Sequence, residues 1–460
     1  MNSLLRFFLP SRAASITFFA ALLLPGIACS AAPAKDDNWT TPLATKLGVR
    51  LEAKFDSSGP DAWDTKKHPL VFITSEGPGY GGLLSGVKFP GLVIYDADSR
   101  EVVAHHSYDV LKLGFKNVFE THGLGVSPDG RWIYVPTGEG QTQTMGKGAF
   151  LIINARTLKL DKVIRLDGQA HHASAFIDEA GQPRVLLYGW NQPPFVVDPT
   201  KDNRVVGGIA FDEMKHPGYL YFVDPEGKYM YATGRIEPAA ARDKAHENVV
   251  IKVSTKDWKL VKTTAIDDST PVWISFTADN KYAYISGGHT DVIYRYDTAQ
   301  DKITGKIRAG VDGPYGVHLS WDDKELYTIG KGEGSHNRGK ILGYVQANLI
   351  GKTAVASDQF PTDCIRGDHG TIHPDPEANE MWITCNSSFE VVIFDLDLRK
   401  VVQRLPTPNG GSTHSGSFVK YDGWKGEVLV DHNGFQGRAL TLKRKMLGIA
   451  PAGPVKTTRN

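Results

Sequence analysis

The feature that most constrains the fold of this chain is a phrase that recurs about every fifty residues. It consists of a turn rich in Pro, Asp, Gly or Asn, followed by a strand of alternating aromatic and aliphatic residues. A turn of the Asp-Gly type between strands of period-two hydrophobicity is typical of a β-hairpin. The clearest copies are VSPDGRWIYV (126–135), VDPEGKYMYA (223–232), FTADNKYAYI (276–285), LSWDDKELYT (319–328) and IHPDPEANEMWIT (372–384).

A second phrase accompanies the first and adds an apolar strand, a polar turn and another strand. Its copies are GLVIYDADSREVVAH (91–105), FLIINARTLKLDKVIRL (150–166), VIYRYDTAQDKITGKIR (292–308) and VVIFDLDLRKVVQRL (391–405). Two hairpins per repeat make a four-stranded antiparallel sheet, and such sheets repeated along a chain are the blades of a β-propeller. The sequence therefore predicts an all-β fold with a single β-propeller.

The number of blades follows from counting the repeats. Six repeats begin near residues 121, 170, 217, 270, 313 and 367. The strands left over, at 69–105 near the start and 413–434 near the end, form either one composite blade or two separate blades, which makes seven or eight. We favour seven, because one shared blade closes the ring and leaves no incomplete sheet edge exposed.

The start of the chain has the pattern of an export signal, in which positive charges precede the apolar stretch 14–28 and small residues follow. No later stretch approaches the run of about 18 apolar residues that a membrane span needs. A lipid anchor on Cys29 is the less favoured alternative, because Gly26 stands where such a motif usually has a large aliphatic residue. We predict a periplasmic or secreted protein with a signal peptide at 1–34, an extended segment at 35–65, a propeller domain at 66–445 and an extended tail at 446–460.

Charge and cysteine content limit the partners. The 52 Lys and Arg residues balance the 51 Asp and Glu residues, so no global field attracts nucleic acid or an anionic membrane. Cys364 and Cys385 belong to a chain with a predicted export signal, and an oxidising compartment permits a disulfide between them. Two buried thiols are the alternative.

Histidines recur at one level of the repeat. The inner strand of each blade starts near one mouth of the central channel, so aligning the repeats on their turns indicates which side chains meet there. His122 and His172 fall at the same position of their repeats, and His369 and His414 fall one position away. Each is followed by Gly, Ala or Ser, which suits a place where strands crowd together. His171 makes a pair with His172.

This convergence predicts a metal centre. The chain has 15 histidines in 460 residues, so a given position is histidine only about 3% of the time, and four of seven or eight equivalent positions is improbable by chance. Neutral imidazole suits copper, zinc, iron and nickel, and an acceptor such as Asp368 can orient the rings. His318, three residues deeper, is a weaker candidate ligand. For any single histidine, a hydrogen-bonded residue at a strand end is the alternative.

The other histidines are interpreted as structural or solvent-facing. His105 and His106 are placed on an outer strand, His373 in a hairpin turn, and His432 in a connection or at an outer strand end. Two glycine-rich stretches join strands and do not open helices, so they are predicted to lie over the channel mouth and not to cradle a phosphate. These stretches are GPGYGGLLSG (77–86) and GKGEGSHNRGK (330–340).

The paired phrases resemble the YVTN-type repeat of exported seven-bladed propellers over about residues 70–445. The histidine arrangement resembles the copper-binding propellers of nitrous oxide reductase and of the thiocyanate dehydrogenase-type enzymes. In those families a histidine pair and single histidines from other blades hold a copper cluster at the propeller centre. By motif, the resemblance implies copper ligands at His171 and His172 as the pair, and at His122, His369, His414 and His318 as single histidines.

The resemblance implies a copper-dependent oxidoreductase that acts on a small molecule. Nitrous oxide reductase carries an additional cupredoxin domain with a cysteine-rich dinuclear copper site, and no sequence after residue 445 corresponds to it. Reduction of nitrous oxide is therefore not expected. A separate periplasmic electron carrier is the expected partner.

Alternatives come from other functional classes. A non-catalytic periplasmic binding protein or a d1-type haem-binding propeller would also place histidines at the mouth. The sequence lacks CxxCH, which excludes covalent c-type haem but not a non-covalent haem. A lactonase-like hydrolase is disfavoured, because its cation is held by carboxylates and an asparagine, which suit hard cations, whereas imidazoles suit softer ones.

Overall fold

The computed structural model of the 460-residue chain describes residues 39–77, 89–116, 118–119, 122–142, 145–234, 248–267, 271–288, 290–311, 313–331, 339–351 and 358–450. The predicted export signal, the greater part of both glycine-rich stretches and residues 451–460 lie outside the described residues. In the described part of the chain, no helix is long and apolar enough to cross a membrane.

Strands make up most of the described chain. They are β1 (Val49–Lys54), β2 (Leu70–Glu76), β3 (Gly91–Asp96), β4 (Val102–Ser107), β5 (Val118–Phe119), β6 (Gly125–Val126), β7 (Trp132–Thr142), β8 (Met145–Asn154), β9 (Leu160–Leu166), β10 (His172–Ile177), β11 (Pro183–Gly189), β12 (Gln192–Asp198), β13 (Arg204–Gly208), β14 (Gly218–Val223), β15 (Tyr229–Gly234) and β16 (Val249–Ser254). They continue with β17 (Leu260–Ala265), β18 (Pro271–Phe276), β19 (Tyr282–Gly287), β20 (Val292–Asp297), β21 (Lys302–Arg308), β22 (Pro314–Leu319), β23 (Glu325–Gly330), β24 (Ile341–Gln346), β25 (Asp358–Pro361), β26 (Gly367–Ile372), β27 (Glu380–Cys385), β28 (Glu390–Asp395), β29 (Lys400–Pro406), β30 (Ser412–Asp422), β31 (Lys425–Asp431) and β32 (Gly434–Phe435). The helices are α1 (Pro42–Lys46), α2 (Phe211–Met214) and α3 (Gly437–Met446), with 3₁₀ turns at Val110–Leu113 and Ala347–Leu349.

These strands form seven antiparallel blades of a β-propeller. Blade I consists of β6–β9, and blades II to VI are β10–β13, β14–β17, β18–β21, β22–β25 and β26–β29. Blade VII combines β30 from the C-terminal part with β2–β4 from the N-terminal part, with Phe72 opposite Ser417. Inner strands of successive blades lie side by side, as β22 does with β18 and β26. The predicted all-β propeller, with seven blades and one composite closing blade, is confirmed.

The recurring turn phrase forms the hairpin between the first two strands of a blade. In blade I the N–H of Gly130 donates to the carbonyl of Ser127 at 2.8 Å, and Gly130 has a φ of +71°. Asn280 and Asp323 occupy the same place in blades IV and V, with φ of +57° and +56°. A left-handed residue of this kind closes a type I turn into a hairpin, and Gly, Asn and Asp adopt it most readily.

The aromatic residue of the following strand packs between blades. It points to a buried face because successive side chains of a strand alternate between faces. The equivalent residues, all at most 4% exposed, are Tyr134, Tyr231, Tyr284, Tyr327 and Trp382.

The segment predicted to be extended before the propeller carries ordered elements. Strand β1 pairs with β9 and so becomes a fifth strand on the outer edge of blade I. Val49 and Ala53 of β1 are buried, and Glu52 receives two hydrogen bonds from Arg165 at 2.8 and 2.7 Å. A short strand with one buried face has little hydrophobic signal of its own, which explains why the periodicity did not indicate it.

The C-terminal strands enter the channel. Strand β31 pairs with the inner side of β30, and the turn after it reaches the inner strands of blades II and III. Asp431 accepts the N–H of Ala175 at 2.8 Å, and Asn433 accepts the N–H of Val223 at 3.0 Å. The sequence reading placed 426–434 among the closing strands, and β31 joins that sheet as an additional strand on the inner side of β30. We call β31, β32 and α3 together the plug.

Helix α3 closes the end of the channel where the hairpin turns of blades III to V lie. Its buried Lys443 forms an ion pair with Asp323 at 2.7 Å and donates to the carbonyl of Ser320 at 2.7 Å. Arg444 donates to the carbonyl of Ala278 at 2.9 Å and pairs with Glu226. The helix thus bridges three blades through charge-assisted bonds to their turns.

We expect Lys443→Ala to lower the free energy of unfolding by about 3–5 kcal/mol, because Asp323 would remain as a buried charge without its partner. Lys445→Ala is the matched control, since Lys445 is exposed on the same helix, and its effect should stay within about 0.5 kcal/mol. Urea unfolding followed by tryptophan fluorescence measures both. Equal effects of the two variants would contradict a closing role for α3.

Candidate functional site

One mouth of the channel is lined by the first residues of the inner strands. His172 opens β10, His171 precedes it, and His122 lies three residues before β6. His369 is on β26 and His414 is on β30. Five predicted site histidines, from blades I, II, VI and VII, therefore converge, and each is at most 5% exposed.

The five imidazole rings contact one another directly. The ring centre of His122 is 4.1 Å from that of His171 and 4.5 Å from that of His414, against which it stacks. His172 is 4.3 Å from His171 and 5.1 Å from His369. The alignment of the repeats therefore identified a real cluster, including the two histidines that stood one position off.

Three of the rings form a chain of nitrogen-to-nitrogen contacts across the mouth. His171 Nδ1 and His172 Nδ1 are 2.8 Å apart, and His172 Nε2 and His369 Nε2 are 3.2 Å apart. A neutral imidazole has one N–H and one lone pair. If all three rings are neutral, His172 donates at one contact and accepts at the other.

The two ends of this chain have no partner. His171 Nε2 and His369 Nδ1 are buried without a hydrogen bond. Counting protons along the chain leaves an N–H at one end and a lone pair at the other. A buried polar atom without a partner costs about 1–3 kcal/mol, so one donor and one acceptor are left buried and unsatisfied at the two ends.

A charged network lies beside the chain. Asp368 is fully buried, with Oδ1 2.9 Å from Lys331 Nζ and Oδ2 2.5 Å from His414 Nδ1. On its other side, His414 Nε2 is 2.8 Å from Asn386 Nδ2. Both nitrogens of His414 are therefore engaged by protein groups. Asp368 orients histidine, as its position in the sequence predicted.

The sixth predicted ligand, His318, lies deeper on β22. Its Nε2 accepts the backbone N–H of Gly370 at 3.1 Å, and its ring packs on Trp273 at 5.2 Å. Below it a cavity of about 40 Å³ reaches the plug, which is room for a few water molecules. The structure places His318 beside the five-histidine cluster and not within its ring contacts.

His432 packs against the cluster although the sequence analysis did not count it as a site residue. It lies in the turn that follows β31, in a connection as the sequence reading placed it, is 4% exposed, and lies 4.8 Å from His172 between ring centres. Its Nε2 is 2.7 Å from the hydroxyl of Tyr188, and its ring stacks on Phe222 at 4.4 Å. The repeat carried no signal for it, because the turn after β31 has no equivalent in the other blades.

Burial keeps these rings neutral. Burial lowers the pKa of His122, His171 and His172 well below the usual range, and neighbouring imidazoles lower it further. Burial also lowers the pKa of His369 and His318 to about 3. At neutral pH each of these rings therefore has one lone pair, which is the form that binds metals.

Asp368 behaves in the opposite way. Burial raises its pKa, but His369, Lys331 and His414 together outweigh burial and hold that pKa well below the usual range. A buried carboxylate with such partners stays ionised. The site therefore combines neutral imidazoles with one balanced pair of charges, Lys331 and Asp368.

Small residues next to the histidines allow the strands to meet. Gly123 forms a parallel bridge with His172. A Cβ on Gly123 would lie 2.0 Å from Ser415 Oγ and 2.1 Å from His172 Cδ2. The predicted crowding at this level is thus a direct contact between blades I, II and VII.

The cysteine pair, for which the sequence left a disulfide and two thiols open, is bonded. Cys364 precedes β26, which carries Asp368 and His369, and Cys385 ends the neighbouring strand β27; both are fully buried. Among the described residues, no group of three or more His, Cys, Asp or Glu side chains is arranged to hold a metal ion in the present ring orientations.

No protein-family model and no curated protein sequence matches this chain. Solved structures share its propeller fold. The dihydro-heme d1 dehydrogenase NirN, in complex with DHE, is 14% identical with a TM-score of 0.50, over 83% of this chain and 78% of that chain. The periplasmic gluconolactonase PpgL of Pseudomonas aeruginosa is 16% identical with a TM-score of 0.51, over 76% and 99%. A putative 6-phosphogluconolactonase of Bacteroides uniformis is 15% identical with a TM-score of 0.52, over 77% and 100%.

We expect Gly123→Ala to lower the free energy of unfolding by about 3 kcal/mol, because the added methyl group overpacks the contact with His172 and Ser415. Gly423→Ala is the control. Gly423 has a φ of +56° with open space around it. Alanine there should lower the free energy of unfolding only by the cost of a left-handed backbone, about 1 kcal/mol. Chemical denaturation of both variants measures the difference, and equal losses would contradict the crowding.

Acid should destabilise the protein well before its carboxylates titrate. Unfolded histidine has a pKa near 6.5, whereas the folded pKa values lie far below it, so the unfolded chain binds more protons. Stability is then complete above about pH 6.5 and falls as the pH drops toward the folded values, by about 1.4 kcal/mol per pH unit for each buried histidine.

Denaturation midpoints between pH 8 and pH 5 test this expectation. His171→Phe should reduce the slope of the free energy of unfolding against pH by the contribution of about one proton, because one buried titrating ring is lost. Val102→Ala, a change of a non-titrating residue exposed on the outer strand β4, should leave the slope unchanged. A flat stability profile across this range would contradict neutral burial of the cluster.

Proposed function

We propose that the histidine cluster binds a transition metal, with copper favoured, and that the protein is an exported copper-dependent oxidoreductase acting on a small molecule. The observation that carries the proposal is the His171–His172–His369 chain with buried, unpartnered nitrogens at both ends. A metal ion that replaces the His172–His369 hydrogen bond would take one lone pair from each of these rings, with the proton of each ring on its other nitrogen.

The donor set fits copper in its chemistry. His172 Nε2 and His369 Nε2 are 3.2 Å apart. Two imidazole nitrogens that each lie about 2.0–2.1 Å from one ion have this separation when the nitrogen–metal–nitrogen angle is about 100°. Burial of the rings supplies neutral ligands. Other rings must turn to complete a coordination set, and the unpartnered end nitrogens have no hydrogen bond to lose in doing so.

Bound copper would supply one-electron redox chemistry. Aromatic residues around the cluster shield it from water. Trp190 and Tyr219 pack on His171 at 5.3 and 5.9 Å, and Trp273 and Tyr315 pack on His369 at 4.8 and 5.2 Å. Electrons would pass to or from a separate periplasmic carrier. The proposal includes kinship with the YVTN-type and nitrous oxide reductase-like copper propellers.

Haem binding is the second candidate. NirN, which shares the fold, is a dihydro-heme d1 dehydrogenase by name, and histidines at a channel mouth can ligate haem iron. The same open nitrogens would serve as axial ligands. A non-catalytic periplasmic binding protein is the remaining candidate. An absorption spectrum of the purified protein distinguishes haem from copper directly.

Protein purified after periplasmic expression in copper-supplemented medium should contain copper at one or more ions per chain by elemental analysis. His122→Ala and His369→Ala should each lower copper affinity at least tenfold, since each removes a lone pair from the cluster. His105→Ala, a histidine on an outer strand, is the control and should bind like the wild type. A metal-free wild-type protein that takes up no added copper would contradict the proposal, and a haem spectrum would replace it with the second candidate.

A further inference from the structure

The cluster contains one histidine whose two nitrogens are already bonded to protein groups. We infer that His414 is a positioning residue and not a metal ligand: Asp368 and Asn386 lock it as the Nδ1–H tautomer, and it holds His122 in place by stacking. The tautomer lock stands on the structure of the cluster alone. The division into ligands and support rests on the proposed function.

The tautomer follows from the partners on each side. Asp368 Oδ1 faces the ammonium of Lys331 at 2.9 Å, so the carboxylate is ionised and can only accept hydrogen bonds. His414 Nδ1, 2.5 Å from Asp368 Oδ2, must therefore donate. His414 Nε2 is then left with a lone pair.

That lone pair is occupied by Asn386. The Asn386 Nδ2 group lies 2.8 Å from His414 Nε2, and Ser387 Oγ donates to Asn386 Oδ1 at 3.3 Å. The hydroxyl of Ser387 thus fixes the amide so that its NH₂ group faces the imidazole. A neutral His414 with a donated Nδ1–H and an occupied Nε2 has no lone pair left for an ion.

The backbone around Asn386 holds the amide in this place. Its N–H donates to the carbonyl of Arg366 at 3.1 Å, and its carbonyl accepts the hydroxyl of Ser412 at 3.0 Å. The preceding residue, Cys385, is bonded to Cys364. Asn386 is therefore anchored covalently within blade VI and by hydrogen bonding to blade VII, while Asp368 is on the neighbouring strand of blade VI.

These hydrogen bonds hold His414 in the position from which it orients the ring of His122. His414 stacks on His122 with ring centres 4.5 Å apart and planes at 26°. Among the described residues His122 has ring contacts but no side-chain hydrogen bond, so stacking is what orients it. Among the described residues, the cluster rings that form no side-chain hydrogen bond outside the cluster are then His122, His171, His172 and His369, from blades I, II and VI, and these are the ligands we assign.

The first experiment is long-range ¹H–¹⁵N correlation on the metal-free full chain labelled with ¹⁵N at histidine. His414 should appear as a single Nδ1–H tautomer, and Asn386→Ala should keep that tautomer, because Asp368 still accepts the Nδ1–H, while the Nε2 resonance shifts on loss of its donor. A mixture already present in the wild type would overturn the lock. This result does not depend on any metal.

The second experiment adds Cu(I), which is diamagnetic, under anaerobic conditions. The ring nitrogens of His122, His171, His172 and His369 should shift, whereas those of His414 should not. His414→Gln, which keeps one donor and one acceptor, should retain wild-type copper stoichiometry with at most a few-fold loss of affinity, against at least a tenfold loss for His122→Ala. Shifts at His414 as large as at His122, or equal losses in the two variants, would overturn the assignment. If the wild type binds no copper, the proposed function and the ligand assignment are both wrong. The tautomer measurement on the metal-free protein then tests by itself whether His414 is held as the Nδ1–H form.

Discussion

The site depends on how closely the inner strands of blades I and II approach at the channel mouth. Gly123 forms a parallel bridge with His172, and the N–H of Ala173 donates to the carbonyl of Gly123 at 3.0 Å. This contact leaves no room for a side chain at position 123 or for water between the blades. The imidazoles behind it are therefore buried, neutral and forced into contact with one another. Their chemistry is a consequence of packing, because the same rings in water would each be hydrogen-bonded and half-charged near pH 6.5.

The C-terminal segment that closes the ring of blades also supplies part of the candidate site. Strand β30, which completes blade VII, carries His414, and the turn after β31 brings His432 into the channel. Helix α3 then seals the opposite end through Lys443 and Arg444. The candidate site thus lies at the mouth with the histidines, while α3 covers the end with the hairpin turns of blades III to V. A buried plug of this kind also explains how several polar rings can lie within the centre of a ring of sheets without a large open pore.

Much of the fold could be predicted, because the blades of a propeller repeat one sequence pattern. The turns with Gly130, Asn280 and Asp323 adopt the left-handed conformation that their residue types favour. The seven-blade count followed from an argument about exposed sheet edges. Elements outside the repeat were not predicted: β1 and α3 have no second copy to compare with, whereas the strand at β31 was expected among the closing strands. The place of His432 in the cluster was missed because it lies in the turn after β31, which no other blade repeats.

The sequence by itself determined the blade architecture and the level at which His122, His172, His369 and His414 meet, because residues at equal positions of a repeat come to equal places around an axis. Only the tertiary structure decided what each ring does there. Hydrogen bonds to Asp368 and Asn386 engage both nitrogens of His414, a backbone N–H engages His318, and the ends of the His171–His172–His369 chain stay open. The repeat places the histidines at equivalent positions of their blades. Each histidine has different neighbours across the channel, from parts of the chain hundreds of residues away. These neighbours give each ring different hydrogen bonds.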